Sequence, residues 1–258
     1  MSLATLTSPL QQCSDKLLCW LIPLFLLVDC MNGALLQLHG VSYGLSVFYK
    51  LLLLSLMAVV LLQQQPKLVL GLLLLLLLML LGPALKWPVL AQRWWLADMQ
   101  LAIKALSPLL AFAYFVSLQQ RLPATAQLLF KHTLIISALV LLLNALAGLA
   151  GFGFTAYQPL DGVAQSFLGI KGFFYSTNEL SAVLLVLSCA LLVLCWAQHR
   201  LAYWGISATA LVIALLLLTK TGLFGVMLLV LLIPLLMQPL SFWQRQRKVL
   251  YWLMLAMG

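Results

Sequence analysis

Apolar residues run through this sequence in long unbroken stretches, such as Leu72 to Leu78, rather than at every second position. A closed β-barrel needs period-two alternation, so the runs predict helices. Bounded by charges, Pro, Gly or Gln clusters, they predict eight spans near 17–38, 42–62, 68–85, 96–118, 132–152, 177–197, 201–219 and 221–237. Most approach the about 20 residues that a helix needs to cross a hydrocarbon core about 30 Å thick. A ninth apolar run begins at Val249 and reaches Gly258 after ten residues, about 15 Å of helix and about half that core. A short helix lying flat in the interface is the alternative for this run. The expectation is an all-α, polytopic transmembrane helix bundle with eight full spans plus a truncated ninth. The same reading expects a single membrane domain over residues 1–258 and, because the ninth run stops partway across the core, the N-terminal part of a longer protein.

Composition removes the soluble alternatives. Of 258 residues, 65% are apolar and only 7% charged, against roughly 25% charged in an ordinary soluble domain. Mean hydropathy is +1.13. The net charge of +9 comes from basic residues scattered between apolar runs, with no continuous basic stripe and no aromatics spaced for base stacking, so nucleic acid is not an expected partner. The basic residues report topology instead. With the N-terminus cytoplasmic, the inner segments collect Lys16, Lys67, Arg121, Lys131, Arg200, Arg245, Arg247 and Lys248, and the outer ones only Lys86, Arg93, Lys171 and Lys220. Trp87, Trp94, Trp95 and Trp243 fall at expected headgroup levels. The N-terminus shows no short apolar stretch followed by a small-x-small cleavage site, so the first run is expected to remain a membrane helix.

Five cysteines (Cys13, Cys19, Cys30, Cys189 and Cys195) contain no C-x-x-C, and His39, His132 and His199 have no metal-ligand spacing. No metal and no cofactor is expected. Walker loops, dinucleotide fingerprints and nucleophile elbows are absent, which leaves ATP-driven transport, redox chemistry and serine hydrolysis without support.

The informative residues are ionisable groups set within apolar runs, because a charge near the bilayer centre costs at least about 2.5–3.5 kcal/mol and must face protein, water or ligand. In the N-in topology Lys50 and Lys104 each lie about 12 Å below the outer end of their spans, and Asp29 lies at a similar depth. Asp98 sits near the outer mouth of the fourth span. Two readings stay open for this group. In one, Lys50 and Lys104 line a charged, outward-facing cavity; in the other, Asp29 pairs with Lys50, Asp98 pairs with a neighbouring cation, and the lysines snorkel to the headgroups.

The longest outer connection, over 153–177, is the least lipid-like stretch and holds Tyr157, Asp161, Gly169 and Lys171. Ser176 or Thr177 can cap the sixth span, which sets the positive end of that helix outward beside Lys171, a favourable place for an anion such as phosphate. Glu179 in the first turn suits the dipole. Asn178 either faces a ligand or hydrogen-bonds a neighbouring helix. Thr219-Lys220-Thr221 interrupts the next apolar stretch with three polar side chains at a tight turn, either as hairpin punctuation or as part of the same site.

At these residues the sequence resembles the O-antigen ligase and O-antigen polymerase superfamily of bacterial multi-spanning membrane proteins. Two segments carry the likeness: Lys171-Gly172-Phe173-Phe174-Tyr175-Ser176-Thr177-Asn178-Glu179-Leu180-Ser181-Ala182, and Thr219-Lys220-Thr221-Gly222-Leu223-Phe224-Gly225. The family often has Arg at the positions of Lys171 and Lys220. The resemblance implies a metal-independent, inverting glycosyltransferase of the bacterial cytoplasmic membrane. It would take glycan from a polyprenyl pyrophosphate carrier to a glycan or lipid acceptor on the periplasmic side, in surface polysaccharide synthesis such as that of lipopolysaccharide. On that reading Lys171, Lys220 and Glu179 are catalytic, with Glu179 or Asp161 taking the acceptor's proton. Lys50, Lys104, Gly172, Asn178, Thr219 and Thr221 bind substrate, and membrane lipid surrounds the polyprenyl tail. The competing class is a transporter or flippase for lipid-linked or anionic cargo. A third is a structural subunit whose polar residues only pack helices.

Overall fold

The computed structural model describes residues 9–40, 44–85, 92–157, 168–174 and 176–237 and is helical over most of them. In chain order these are α1 (Pro9–Leu21), a 3-10 turn (Ile22–Leu24), α2 (Phe25–His39), α3 (Leu45–Gln64), α4 (Pro66–Leu85), α5 (Gln92–Arg121) and α6 (Pro123–Leu149). Strands β1 (Phe154–Thr155) and β2 (Ile170–Gly172) precede α7 (Thr177–Gln198), α8 (Arg200–Leu217) and α9 (Lys220–Leu236). Six described helical segments are long and apolar enough to cross a membrane, the first being the 31-residue run Pro9–His39, and Pro66–Gly82 and Lys220–Leu236 are shorter apolar helices. This is the architecture of a multi-pass helical membrane protein.

Helix boundaries follow local chemistry. Pro66 and Pro123 open α4 and α6, where the missing N–H costs nothing and φ is already helical. His199, with φ −146°, breaks the chain between α7 and α8, and Leu218, with φ +52°, turns it between α8 and α9. Several helices overrun the expected spans: α1 begins at Pro9 rather than near 17, and α6 at Pro123 rather than near 132. Polar residues such as Lys131 mark where a helix leaves hydrocarbon, not where its hydrogen bonds stop.

One departure from an all-helical reading lies in the connection between α6 and α7. β1 and β2 form an antiparallel pair with Phe154 opposite Gly172 and Thr155 opposite Ile170. Positive φ at Gly151, Gly153, Gly169 and Gly172 supplies the turns that a helix cannot make. Asp161, Lys86, Trp87, Trp243, Arg245, Arg247, Lys248 and the ninth apolar run lie outside the described residues.

The chain packs as two compact units, one of residues 1–32 with 42–137 and the other of residues 33–41 with 138–258. The first is cored by Leu18, Ile22, Met57, Val60, Tyr114 and Leu118. In it Asp15 accepts hydrogen bonds from Arg121 at 2.7 Å and from Tyr114 at 3.1 Å. In the second, α7, α8 and α9 pack together around Leu192, Tyr203 and Ile233. The Tyr203 hydroxyl donates to the Val230 carbonyl at 2.6 Å, and the Trp196 ring meets Tyr203 edge-on at 5.1 Å. Joined by tight turns, α8 runs back between α7 and α9, so the N-termini of α7 and α9 fall at the same end. Leu70, Phe112, Leu201 and Phe224 are exposed, as side chains against lipid would be.

Candidate functional site: two capped helix starts and a braced hairpin

The second unit gathers the polar segments at the common end of α7 and α9. Ser176 caps α7, accepting from the Glu179 N–H at 3.3 Å, as the sequence allows. Thr177, the other candidate cap, donates instead to the Ala156 carbonyl at 3.0 Å and so ties α7 to the residue after β1. Thr219 caps α9 by accepting from the Gly222 N–H at 3.3 Å. The two starts are then joined directly, because the Ser181 hydroxyl lies 2.8 Å from the Thr219 hydroxyl. Gly222 makes this approach possible: a Cβ there would sit 2.6 Å from Thr219 Oγ1 and 3.5 Å from Ser181 Oγ.

The capping bonds use the N–H groups of Glu179, Leu180, Gly222 and Leu223. Ahead of them in each helix come two residues, Thr177 and Asn178 in α7 and Lys220 and Thr221 in α9, in the first turn where no helical carbonyl precedes them. Asn178, Glu179, Lys220 and Thr221 are exposed. Two helix dipoles therefore present their positive ends side by side, with the Lys220 ammonium belonging to the first residue of α9.

The hairpin that carries Lys171 is fixed to the same unit from two sides. Asn144 of α6, only 4% exposed, donates to the Lys171 carbonyl at 3.0 Å and accepts from the Phe173 N–H at 2.8 Å. Both ends of one buried amide thus bracket Gly172, whose φ of +60° suits glycine and whose missing Cβ leaves room for the Asn144 side chain. Gln37 donates to the Gly153 carbonyl at 3.2 Å. Toward α9, Tyr157 donates to the Leu218 carbonyl at 3.0 Å, and a Cβ on Gly169 would sit 3.0 Å from the Leu217 carbonyl oxygen. The Lys171 ammonium lies 5.6 Å from the centre of the Phe154 ring. Burial pushes its pKa below the ordinary lysine value, so the charge is incompletely solvated where it stands.

The sequence-predicted residues divide accordingly. Lys171, Gly172, Asn178, Glu179, Thr219, Lys220 and Thr221 all belong to the second unit, on β2 or at the starts of α7 and α9. Within it, Gly172 and Thr219 have evident packing and capping work. Lys50 and Lys104 belong to the first unit. Lys50 forms an ion pair with Asp29 at 2.9 Å, and Asp29 also accepts from Ser46. Lys104 is exposed on α5. Asn144 and Ser181 are the organising residues that sequence reasoning does not single out. Among the described residues no group of three His, Cys, Asp or Glu gathers as metal ligands would. Comparison of the chain with protein family models, curated proteins and solved structures finds no match.

Proposed function

We propose that the chain is a glycosyltransferase of the O-antigen ligase and polymerase type, with eight spans in a bacterial cytoplasmic membrane and its N-terminus inside. It transfers glycan from a polyprenyl pyrophosphate carrier to an acceptor on the outer side. The observation that carries this reading is the Ser181–Thr219 bond, which sets the starts of α7 and α9 side by side in the unit that also holds Lys171 and Lys220. A pyrophosphate needs cationic charge and directional donors. Lysines provide point charges without the bidentate fork of arginine, and the exposed first turns of two helices provide N–H donors beside them.

In the proposed reaction an acceptor hydroxyl oxygen attacks the anomeric carbon from the face opposite the pyrophosphate. The new glycosidic bond forms as the bond to the pyrophosphate oxygen breaks, and that oxygen leaves with the electron pair. Lys171, Lys220 and the helix starts stabilise the charge that grows there. The exposed Glu179 carboxylate takes the acceptor's proton. Gly172, Asn178, Thr219 and Thr221 shape the cradle.

The reading is tested with the purified chain in proteoliposomes supplied with a labelled polyprenyl pyrophosphate-linked glycan and an acceptor lipid. Label is expected on the acceptor. Movement of label between leaflets without transfer would instead identify a carrier of lipid-linked cargo.

A further inference from the structure

A charged cavity lies in the first unit, where α1 passes the junction of α5 and α6. Its volume is about 450 Å3, and its walls include Gln12, Asp15, Lys16, Trp20, Leu122 and Thr125. The carboxylate in this wall is already occupied. Asp15 takes both terminal nitrogens of Arg121, at 2.7 and 3.4 Å, together with the Tyr114 hydroxyl, and the side chains of Arg121 and Asp15 are 10% and 8% exposed. Arg121 is held further by donating from Nε to Ser117 at 3.2 Å. This pair cancels its own charge, which leaves Lys16, exposed at the cavity wall, as one cation in excess.

Other features of the wall suit an anionic amphiphile rather than a neutral guest. Thr125 brings a hydroxyl in the first turn of α6, whose positive dipole end adds to the field of Lys16. Trp20 is 79% exposed and Leu122 41%, so the polar floor opens onto apolar side chains at the lipid-facing surface. An exposed tryptophan beside a lysine is the pairing expected at headgroup depth, where an indole lies along acyl chains and a lysine reaches phosphate.

We infer that this cavity is a binding site for an anionic membrane phospholipid. The single negative charge of its phosphodiester matches the excess cation, and Lys16 and Thr125 hold the phosphate while Trp20 and Leu122 receive the upper acyl chain. Basic pockets between membrane helices take lipid headgroups by the same complementarity. Of the Asp15–Arg121–Tyr114 cluster only Asp15 lines the cavity, and its bonds to the other two tie α1 to α5 beside the bound lipid.

The test is native mass spectrometry of the intact chain in detergent, titrated separately with phosphatidylglycerol, phosphatidylcholine and inorganic phosphate. Phosphatidylglycerol should be retained, phosphatidylcholine at least about tenfold less, and inorganic phosphate should neither bind nor compete. Lys16→Gln should weaken phosphatidylglycerol retention about tenfold, Lys16→Arg should keep it, and Lys131→Gln, which removes an equal charge elsewhere on the unit, should leave it unchanged. Equal retention of the two lipids, or equal losses in Lys16→Gln and Lys131→Gln, would overturn the site. Competition by inorganic phosphate would reassign it to a soluble anion. None of these outcomes depends on glycosyl transfer.

Discussion

Ser181 and Thr219 stand 38 positions apart in the chain and meet hydroxyl to hydroxyl at 2.8 Å, joining the second turn of α7 to the cap of α9. Both are nearly excluded from the surface, at 2% and 8% exposure. The Thr219 oxygen thus serves two partners, Ser181 and the Gly222 N–H. Thr219→Val keeps the shape and removes both bonds. It should lower stability in detergent by about 1–2 kcal/mol, read from thermal unfolding, whereas Thr219→Ser should stay near wild type. A loss in Thr219→Ser with Thr219→Val near wild type would assign the residue to packing alone.

The Asn144 bracket yields a second expectation. Asn144→Leu strips the side-chain partner from the Lys171 carbonyl and the Phe173 N–H, and Gly172→Ala drives a methyl into the Asn144 side chain at a φ of +60°. Each should cost about 1–3 kcal/mol and speed amide exchange over residues 168–174. Because both changes break the same bracket, the double variant should lose less than the two losses added together. Full additivity in hydrogen-exchange mass spectrometry would show that the two residues act separately.

How far the sequence foretold this site depends on how local each cause is. The helices were readable because Pro66, Pro123 and the Gln cluster at 63–65 punctuate apolar runs of membrane length, and the Ser176 cap was readable because a hydroxyl at a helix start has a short-range partner. The β1–β2 pair was not, since each strand is two or three residues long and their register depends on glycine turns and on Asn144 reaching across from α6. A single Asn within a Leu-rich span looks the same whether it braces a loop or a neighbouring helix. Asp15 and Arg121 lie 106 positions apart, so nothing local announces their pairing. Lys50 shows an intermediate case, in which both open readings were visible and the ion pair with Asp29 supplies the structural one.

Arg121 and Asp15 should behave as a buried pair. Arg121→Met alone leaves a carboxylate with little access to water and should destabilise the chain by about 3–5 kcal/mol. Adding Asp15→Asn should recover much of that loss, because the stranded charge is gone. A thermal-unfolding double-mutant cycle measures the coupling, and a double variant no more stable than Arg121→Met would count against it.

Lys171 should carry a pH signature. Burial holds its pKa below the ordinary lysine value, so the folded protein binds that proton less tightly than the unfolded chain does. Between the lowered midpoint and the ordinary one of about 10.4, the unfolded chain binds more protons, and stability from this group rises with pH. A bound pyrophosphate favours the ammonium and should move the midpoint back up. Carbon-13 NMR of reductively methylated protein, with Lys171→Ala identifying the resonance, reads both effects. A midpoint above the ordinary value without ligand would contradict the first, and one that pyrophosphate does not move would contradict the second.

The most direct measurement is the affinity of the intact chain for a short-chain polyprenyl pyrophosphate, taken by equilibrium binding in detergent across wild type, Lys171→Ala, Lys220→Ala and the double variant. Two lysines on one diphosphate should each cost about tenfold in affinity when removed, the losses should fail to add, and added salt should weaken wild-type binding. Unchanged affinity in either single variant, with unfolding temperature preserved, would mean that Lys171 and Lys220 do not grip a common ligand.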